Sequence, residues 1–257
     1  MNSMNFLSQK PQQAEQGHCD KHGNYDFRYQ QMGDRWLSLA TCPLCAAEAN
    51  AAQKQNDVRQ ARQAAQERMN RQRVDAGVSP RYAQVGFEHY QVTTQEQATA
   101  LAEAMQFVER LKAGGTASMI LSGRVGTGKT MLASAIVNEM LPVKSCRIAT
   151  LAELVRELKD CWGKSGGMSE SAMLRKLSDL DLLIIDEVGQ QRGTETEMLL
   201  IFEIIDGRYK NMLPTVLISN LDKTGIREAI GDRAFDRLRQ DGGTVVPFNW
   251  GSMRSAV

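Results

Sequence analysis

Residues 123–130 read Gly-Arg-Val-Gly-Thr-Gly-Lys-Thr and satisfy the pattern GxxxxGKT, and their flanks constrain the fold more tightly than the motif does. The apolar run ASMIL precedes them and the helix-forming run MLASAIVNEM follows, so the glycines fall at a strand-to-helix turn. Such a turn wraps its backbone N–H groups around a polyphosphate, and the helix N-terminus adds partial positive charge at the same point. The loop comprises Gly123, Arg124, Val125, Gly126, Thr127 and Gly128, with Lys129 to reach the β and γ phosphates and Met131 following on the helix. Thr130 supplies a hydroxyl for Mg²⁺, an ion that takes oxygen ligands. The alternative is a glycine-rich turn bearing a solvated lysine, which leaves the strand and helix flanks unexplained.

From residue 116 onward short apolar strands alternate with helical patterns: ASMILSG, TMLASAIVNEML, SCRIAT, LAELVRELKDCW, LDLLIIDE, an amphipathic stretch ending near Tyr209, PTVLISN and TVVPFNW. This alternation predicts an α/β fold with a parallel sheet between helices and ligands at the carboxyl ends of the strands. Ahead of it, Thr94 with Gln97 resembles a capping box, and Leu101, Met105, Val108 and Leu111 recur at helical spacing up to Gly114.

Leu182-Leu-Ile-Ile-Asp186-Glu187 is an apolar strand ending in two carboxylates, which is costly unless a cation sits there. Mg²⁺ fits, with Asp186 holding the ion from its second shell and Glu187 polarising the attacking water as general base. A solvated acidic strand end is the alternative. Asn220 ends the apolar strand at Leu217-Ile-Ser; beside the phosphate-loop strand it would face the γ phosphate, and otherwise it forms a turn. Arg233 and Arg237 lie four apart on one helical face. They read as an arginine finger for a neighbouring subunit, or as a solvated helix partnered by Asp232 and Asp236.

The N-terminal part differs in kind. Residues 1–16 are Gln-rich without periodicity and are expected to form a disordered leader. Residues 17–45 are too few to fold on apolar burial alone, yet they hold three of the five cysteines. Cys19 with His22 and Cys42 with Cys45 make CxxH and CxxC arms of zinc-like spacing, with a hairpin expected between Tyr25 and Trp36 and His18 as the alternative to His22. Residues 46–77 are rich in helix formers and poor in large apolar side chains, and predict a long exposed helix, either a spacer or a partner-binding surface. Gly77 and Pro80 then open the main domain, 78–257. Without a signal-peptide layout or a run of about 18 apolar residues, a cytoplasmic location and no membrane contact are expected. The net charge of +1 offers no global field toward nucleic acid, so any such contact must be local.

With these residues assembled, GVSPRY, FEHYQV, GRVGTGKT, LLIIDEVGQQ, GDRAFDRLR and VPFNWGSMRS occur in the order shown by DnaC-type helicase loaders, which the stretch from about Val78 to the C-terminus resembles. That resemblance implies an AAA+ P-loop NTPase that hydrolyses ATP with Mg²⁺, self-associates as an open spiral and loads a DnaB-type replicative helicase onto single-stranded DNA. By the same likeness Arg237 is the finger with Arg233 its neighbour, Arg254 is the sensor-two arginine that touches nucleotide, and Trp162 with Thr194 touches single-stranded DNA. A Trp capping a core helix is the alternative for Trp162. Phage-borne relatives of this group carry similar N-terminal arms, which supports Zn²⁺ at Cys19, His22, Cys42 and Cys45. Well-known loaders have a helical helicase-binding region where this chain has its cysteine cluster. Two rival functions share the motifs: an IstB-type transposition helper that partners a transposase, and a nucleotide-gated zinc adaptor without useful hydrolysis. The FNWGSMRS ending favours the loader over the first, and intact Lys129, Asp186 and Glu187 argue against the second.

Overall fold

The computed structural model describes residues 5–13, 15–161, 168–190 and 194–253. The chain forms two compact units, Met1–Glu67 and Arg68–Val257. The first carries strands β1 (Asn5–Leu7), β2 (Gln16–Cys19), β3 (Gly23–Asp26), β4 (Arg28–Met32) and β5 (Arg35–Leu39), and most of helix α1 (Pro43–Asp75). β2 and β3 form one antiparallel hairpin, and β4 and β5 form a second around Gly33, whose φ of 62° suits a residue without Cβ. This second hairpin overlaps the stretch from Tyr25 to Trp36 where one was expected and runs on to Leu39.

Two expectations for this region need correction. Among the described residues of 1–16, Asn5–Leu7 are not a featureless leader, because β1 pairs antiparallel with β5 in the register Asn5↔Ser38, Phe6↔Leu37, Leu7↔Trp36. A three-residue strand is held by backbone bonds to an existing edge and leaves no periodic trace. The helix begins at Pro43 rather than Ala46, since proline at the first helical position has its φ preset and forfeits only an N–H that would be orphaned anyway. As expected, no residue of α1 is buried. Its last turns belong to the second unit, where Met69 packs on the core and Arg73 Nε donates to Asn138 Oδ1 at 3.3 Å. The second unit therefore starts inside α1 and not at Val78.

The second unit continues with α2 (Gln95–Lys112), β6 (Met119–Gly123), α3 (Lys129–Met140), β7 (Cys146–Thr150), α4 (Leu151–Asp160), α5 (Glu170–Ser178), β8 (Leu182–Val188), α6 (Glu195–Lys210), β9 (Thr215–Ser219), α7 (Lys223–Ile230), α8 (Asp232–Arg239) and β10 (Thr244–Phe248). The strands order as β10-β6-β9-β8-β7 and every neighbouring pair is parallel. Because side chains alternate along a strand, each strand feeds two cores. Met119, Leu121, Leu182, Ile184, Val216 and Ile218 pack beneath α2 and α3. Ile120, Leu183, Ile185 and Leu217 pack against α4 to α8.

Thr94 caps α2 as read, its hydroxyl accepting from Gln97 N at 3.3 Å while Gln97 Oε1 accepts from Thr94 N at 3.0 Å. The buried row of α2 runs through Ala100, Ala104, Phe107, Val108 and Leu111, and Met105 is exposed. Phe107 offers the larger apolar area, so the helix turns it inward and Met105 out. Among the described residues no helix is long and apolar enough to cross a membrane.

Candidate functional site

The turn after β6 carries the glycines where the backbone demands them. Gly126 and Gly128 have φ of 79° and 93°, the left-handed region that L side chains avoid. A Cβ on Gly126 would lie 2.3 Å from Ser252 Oγ, so a side chain there would also have to displace that hydroxyl. Lys129 Nζ donates to the carbonyl oxygens of Gly123 and Arg124, both at 2.7 Å, which fixes the ammonium at the mouth of the loop. Thr127 is buried and its hydroxyl donates to Arg124 O at 2.7 Å.

The acidic tip of β8 meets this loop. Thr130 Oγ1 donates to Asp186 Oδ2 at 2.8 Å, and Glu187 N donates to Asp186 Oδ1 at 2.7 Å. Burial pushes the Asp186 carboxyl up from its ordinary value, against the Thr130 hydroxyl, the Glu187 N–H and the Lys129 charge, which favour the anion. The register of β8 on β9 shifts between Ile185 and Val188, so both carboxylates sit at a strand irregularity of the kind that re-aims side chains. Glu187 has φ 56°, a conformation that costs a non-glycine residue on the order of 1 kcal/mol, and its side chain is exposed.

Lys129, Thr130, Asp186, Glu187 and Asn220 line one cleft of about 570 Å³ with Val125, Gly126, Gly128 and Met131. β9 is the neighbour of β6, which brings Asn220 to the loop as expected. Arg81, Tyr82, Val85, Gln190 and Met253 also line the cleft and were not singled out. Their signal lay in the segments GVSPRY, DEVGQQ and NWGSM, whose individual side chains no spacing rule assigns.

Other expected residues stand apart. Arg233 is exposed on α8. Arg237 does not line this cleft; its Nη2 pairs with Asp206 Oδ1 at 2.7 Å and its guanidinium lies 4.7 Å from the Tyr209 ring centroid. Asp232 and Asp236, weighed as partners for this helix, pair instead with Arg227. Thr194 is the N-cap of α6, its hydroxyl accepting from Glu197 N at 3.3 Å. Trp162 and Arg254 lie outside the described residues.

In the first unit Cys19, His22, Cys42 and Cys45 converge, with their ligand atoms all within 4.8 Å of one another. The turn between β2 and β3, closed by His22 N donating to Cys19 O at 3.2 Å, aims one pair, and the N-terminus of α1 aims the other. Individual separations are 3.5 Å for Cys19 Sγ to Cys45 Sγ, 3.6 Å for Cys42 Sγ to His22 Nδ1 and 3.3 Å for Cys45 Sγ to His22 Nδ1. Ligand atoms at the corners of a tetrahedron with bonds of about 2.0–2.3 Å are spaced in this way. His22 Nε2 faces Glu48 Oε1 at 3.3 Å, a carboxylate that orients the ring with Nδ1 toward the sulfurs. Backbone N–H groups of His22 and Lys21 lower the Cys19 thiol to about 6, and hydrogen bonding with Cys19 pushes Cys45 up to about 11, a conflict that a dication relieves. His18, the alternative ligand, instead bonds Asn24 Oδ1 at 2.7 Å. These four residues can hold a metal ion.

The family described as IstB-like ATP binding protein matches residues 24–255. Over 183 residues the chain is 39% identical to the replicative helicase loader DnaC of Escherichia coli (strain K12), spanning 71% of this chain and 74% of that one. The fold is similar to the crystal structure of the DnaC helicase loader, with a TM-score of 0.57 and 21% identity over 66% of this chain and 99% of that chain. It is also similar to the replication initiator DnaA bound to AMPPCP and single-stranded DNA, with a TM-score of 0.57 and 20% identity over 68% of this chain and 51% of that chain.

Proposed function

This chain belongs to the IstB-like ATP-binding proteins, and from that premise we propose that it is an ATP-dependent loader of a DnaB-type replicative helicase onto single-stranded DNA, with hydrolysis coupled to helicase release. The observation that supports it most is the 39% identity to a replicative helicase loader over 183 residues, in a chain that also carries the cleft lined by Lys129, Thr130, Asp186 and Glu187.

In this reading the loop N–H groups and Lys129 take the β and γ phosphates of ATP, and Arg254 touches the nucleotide from the C-terminal segment. Thr130 and Asp186 would hold Mg²⁺, which neutralises charge that builds on the phosphates. Their hydroxyl and carboxylate already face one another, a donor set of the hard oxygen type. Glu187 orients and deprotonates water, and Asn220 orients the water or senses hydrolysis. Arg237, with Arg233 beside it, serves the nucleotide of a neighbouring protomer in an open spiral. Trp162 and Thr194 contact single-stranded DNA, where stacking on an aromatic ring tolerates any sequence. Zn²⁺ held by Cys19, His22, Cys42 and Cys45 would give the first unit its fold, leaving that unit and the exposed length of α1 to meet the helicase. The work is cytoplasmic.

A second reading is an IstB-type transposition helper whose partner is a transposase, a class that shares the family described as IstB-like ATP binding protein. Mixing the purified protein with a DnaB-type helicase, with and without ATP, and sizing the product separates the two. An ATP-dependent complex of defined stoichiometry is expected; two components that remain separate under both conditions would remove the loader role.

A further inference from the structure

Residues without a role in the reading above clasp the phosphate-binding loop from behind. Trp250 Nε1 donates to the carbonyl oxygen of Thr127 at 3.1 Å, and the Tyr90 hydroxyl donates to the same oxygen at 3.4 Å. One residue earlier, Met253 N donates to Gly126 O at 2.8 Å, which ties the C-terminal segment to the loop. The indole of Trp250 is seated by the sheet, its ring centroid 4.7 Å from that of Phe248, which is fully buried at the end of β10. Tyr90 is buried in the α2 and α3 core, and its Cε2 lies 2.9 Å from where a Cβ on Gly128 would stand. Burial pushes the Tyr90 phenol up to about 12, which keeps the donor proton in place.

A planar trans peptide points its C=O and the following N–H in opposite directions. Gly128 lines the cleft, whereas Tyr90 and Trp250 do not. Drawing the Thr127 carbonyl toward Tyr90 and Trp250 therefore turns the Gly128 N–H toward the polyphosphate. A loop with Gly126 and Gly128 at positive φ has little steric restraint of its own, and the flipped peptide would present a carbonyl oxygen to the anion. We propose that Trp250, assisted by Tyr90, is a positioning residue for the phosphate cradle, holding the Thr127–Gly128 peptide with its N–H facing the nucleotide.

The inference rests on the reading of this cleft as an ATP site, and the experiment separates the two. Trp250→Phe keeps an aromatic ring against Phe248 and removes the donor together with part of the indole's apolar area. Affinities for ATP, ADP and inorganic tripolyphosphate are measured by calorimetry in the full-length protein, with thermal melting alongside. Expected is a loss of about five- to tenfold for all three ligands, with melting within a degree or two of wild type. Wild-type affinity in a folded Trp250→Phe protein overturns the proposal, as does a loss confined to ATP and ADP with tripolyphosphate unaffected, because the indole would then serve the base or sugar. If Trp250→Phe does not fold, Tyr90→Phe decides: a weakening of about two- to threefold for all three ligands supports the clasp and no change overturns it. A folded wild-type protein that takes up none of the three overturns the cleft reading itself.

Discussion

The hydroxyl of Thr130 donates to Asp186 Oδ2 at 2.8 Å and so joins the first turn of α3 to the tip of β8. Asp186 is buried, and burial raises its pKa above the ordinary 3.8. A carboxyl whose folded pKa is raised contributes stability that is fully present below the unfolded value and is lost as pH rises through the folded value. As pH rises through that folded value, the nucleotide-free protein takes on a charge that burial disfavours. Asp186→Asn is expected to melt above wild type without nucleotide at neutral pH, with the gap narrowing as pH falls toward 3.8, and to lose most of the stabilisation that Mg²⁺ and ATP give wild type. Thermal melts across this pH range check both arms, and identical curves for the two proteins would contradict the account.

The phosphate loop and the acidic strand end of the cleft were legible in the sequence because their chemistry is contiguous: eight residues from Gly123 to Thr130, and two carboxylates closing an apolar strand. What carried no local signal depends on contacts far apart in the chain. The bond from Trp250 to Thr127 spans 123 positions, and the pairing of β9 with β6 is chosen by the whole sheet. Helix α5 was not legible because its nine residues are too short for a helical period to show, although Met173, Leu177 and Ser178 are buried and Leu174 packs against the core. Strand β1 escaped because backbone bonding to β5 needs no pattern of side chains.

Arg237 reaches Asp206 and Tyr209 rather than the cleft of its own protomer, and in the proposed finger role it would act on another protomer's nucleotide. Asp206 also pairs with Lys210 at 2.7 Å and keeps a cationic partner when Arg237 is removed, which protects the fold. Arg237→Ala is expected to bind ATP as wild type does and to hydrolyse it at least about 10³-fold more slowly in the assembled state. Turnover per protomer on the helicase measures this, and an unchanged rate would assign Arg237 to packing alone.

Among the described residues up to Glu67, Leu37 and Cys42 are the buried apolar ones, too few to hold five strands by burial. A metal ion at the four-ligand cluster would supply the stabilisation that burial lacks. Cys42→Ser is expected to lose one equivalent of zinc by metal analysis. Chelation is expected to abolish hydrogen-exchange protection in β2 to β5 while ATP binding persists. Equal zinc in the variant and wild type would reject the site.

Arg208 is fully buried, and among the described residues no carboxylate is bonded to it. Its Nη1 donates to Leu177 O and Leu180 O, both at 2.7 Å, its Nη2 to Pro214 O at 2.6 Å and its Nε to Thr215 Oγ1 at 3.0 Å. Leu177 is in the last turn of α5, where carbonyls lack helical partners and the helix end is partly negative, so the cation satisfies acceptors that water cannot reach. Burial lowers the guanidinium to about 10, which still leaves it charged near neutral pH. Arg208→Ala is expected to cost roughly 3–5 kcal/mol, because three carbonyls and a hydroxyl lose their donor together. Arg208→Lys cannot reproduce the planar fork and is expected to recover only part of that loss. Urea unfolding of the three proteins measures the difference, and a Lys variant as stable as wild type would show that charge alone, without the fork, holds α5, α6 and β9 together.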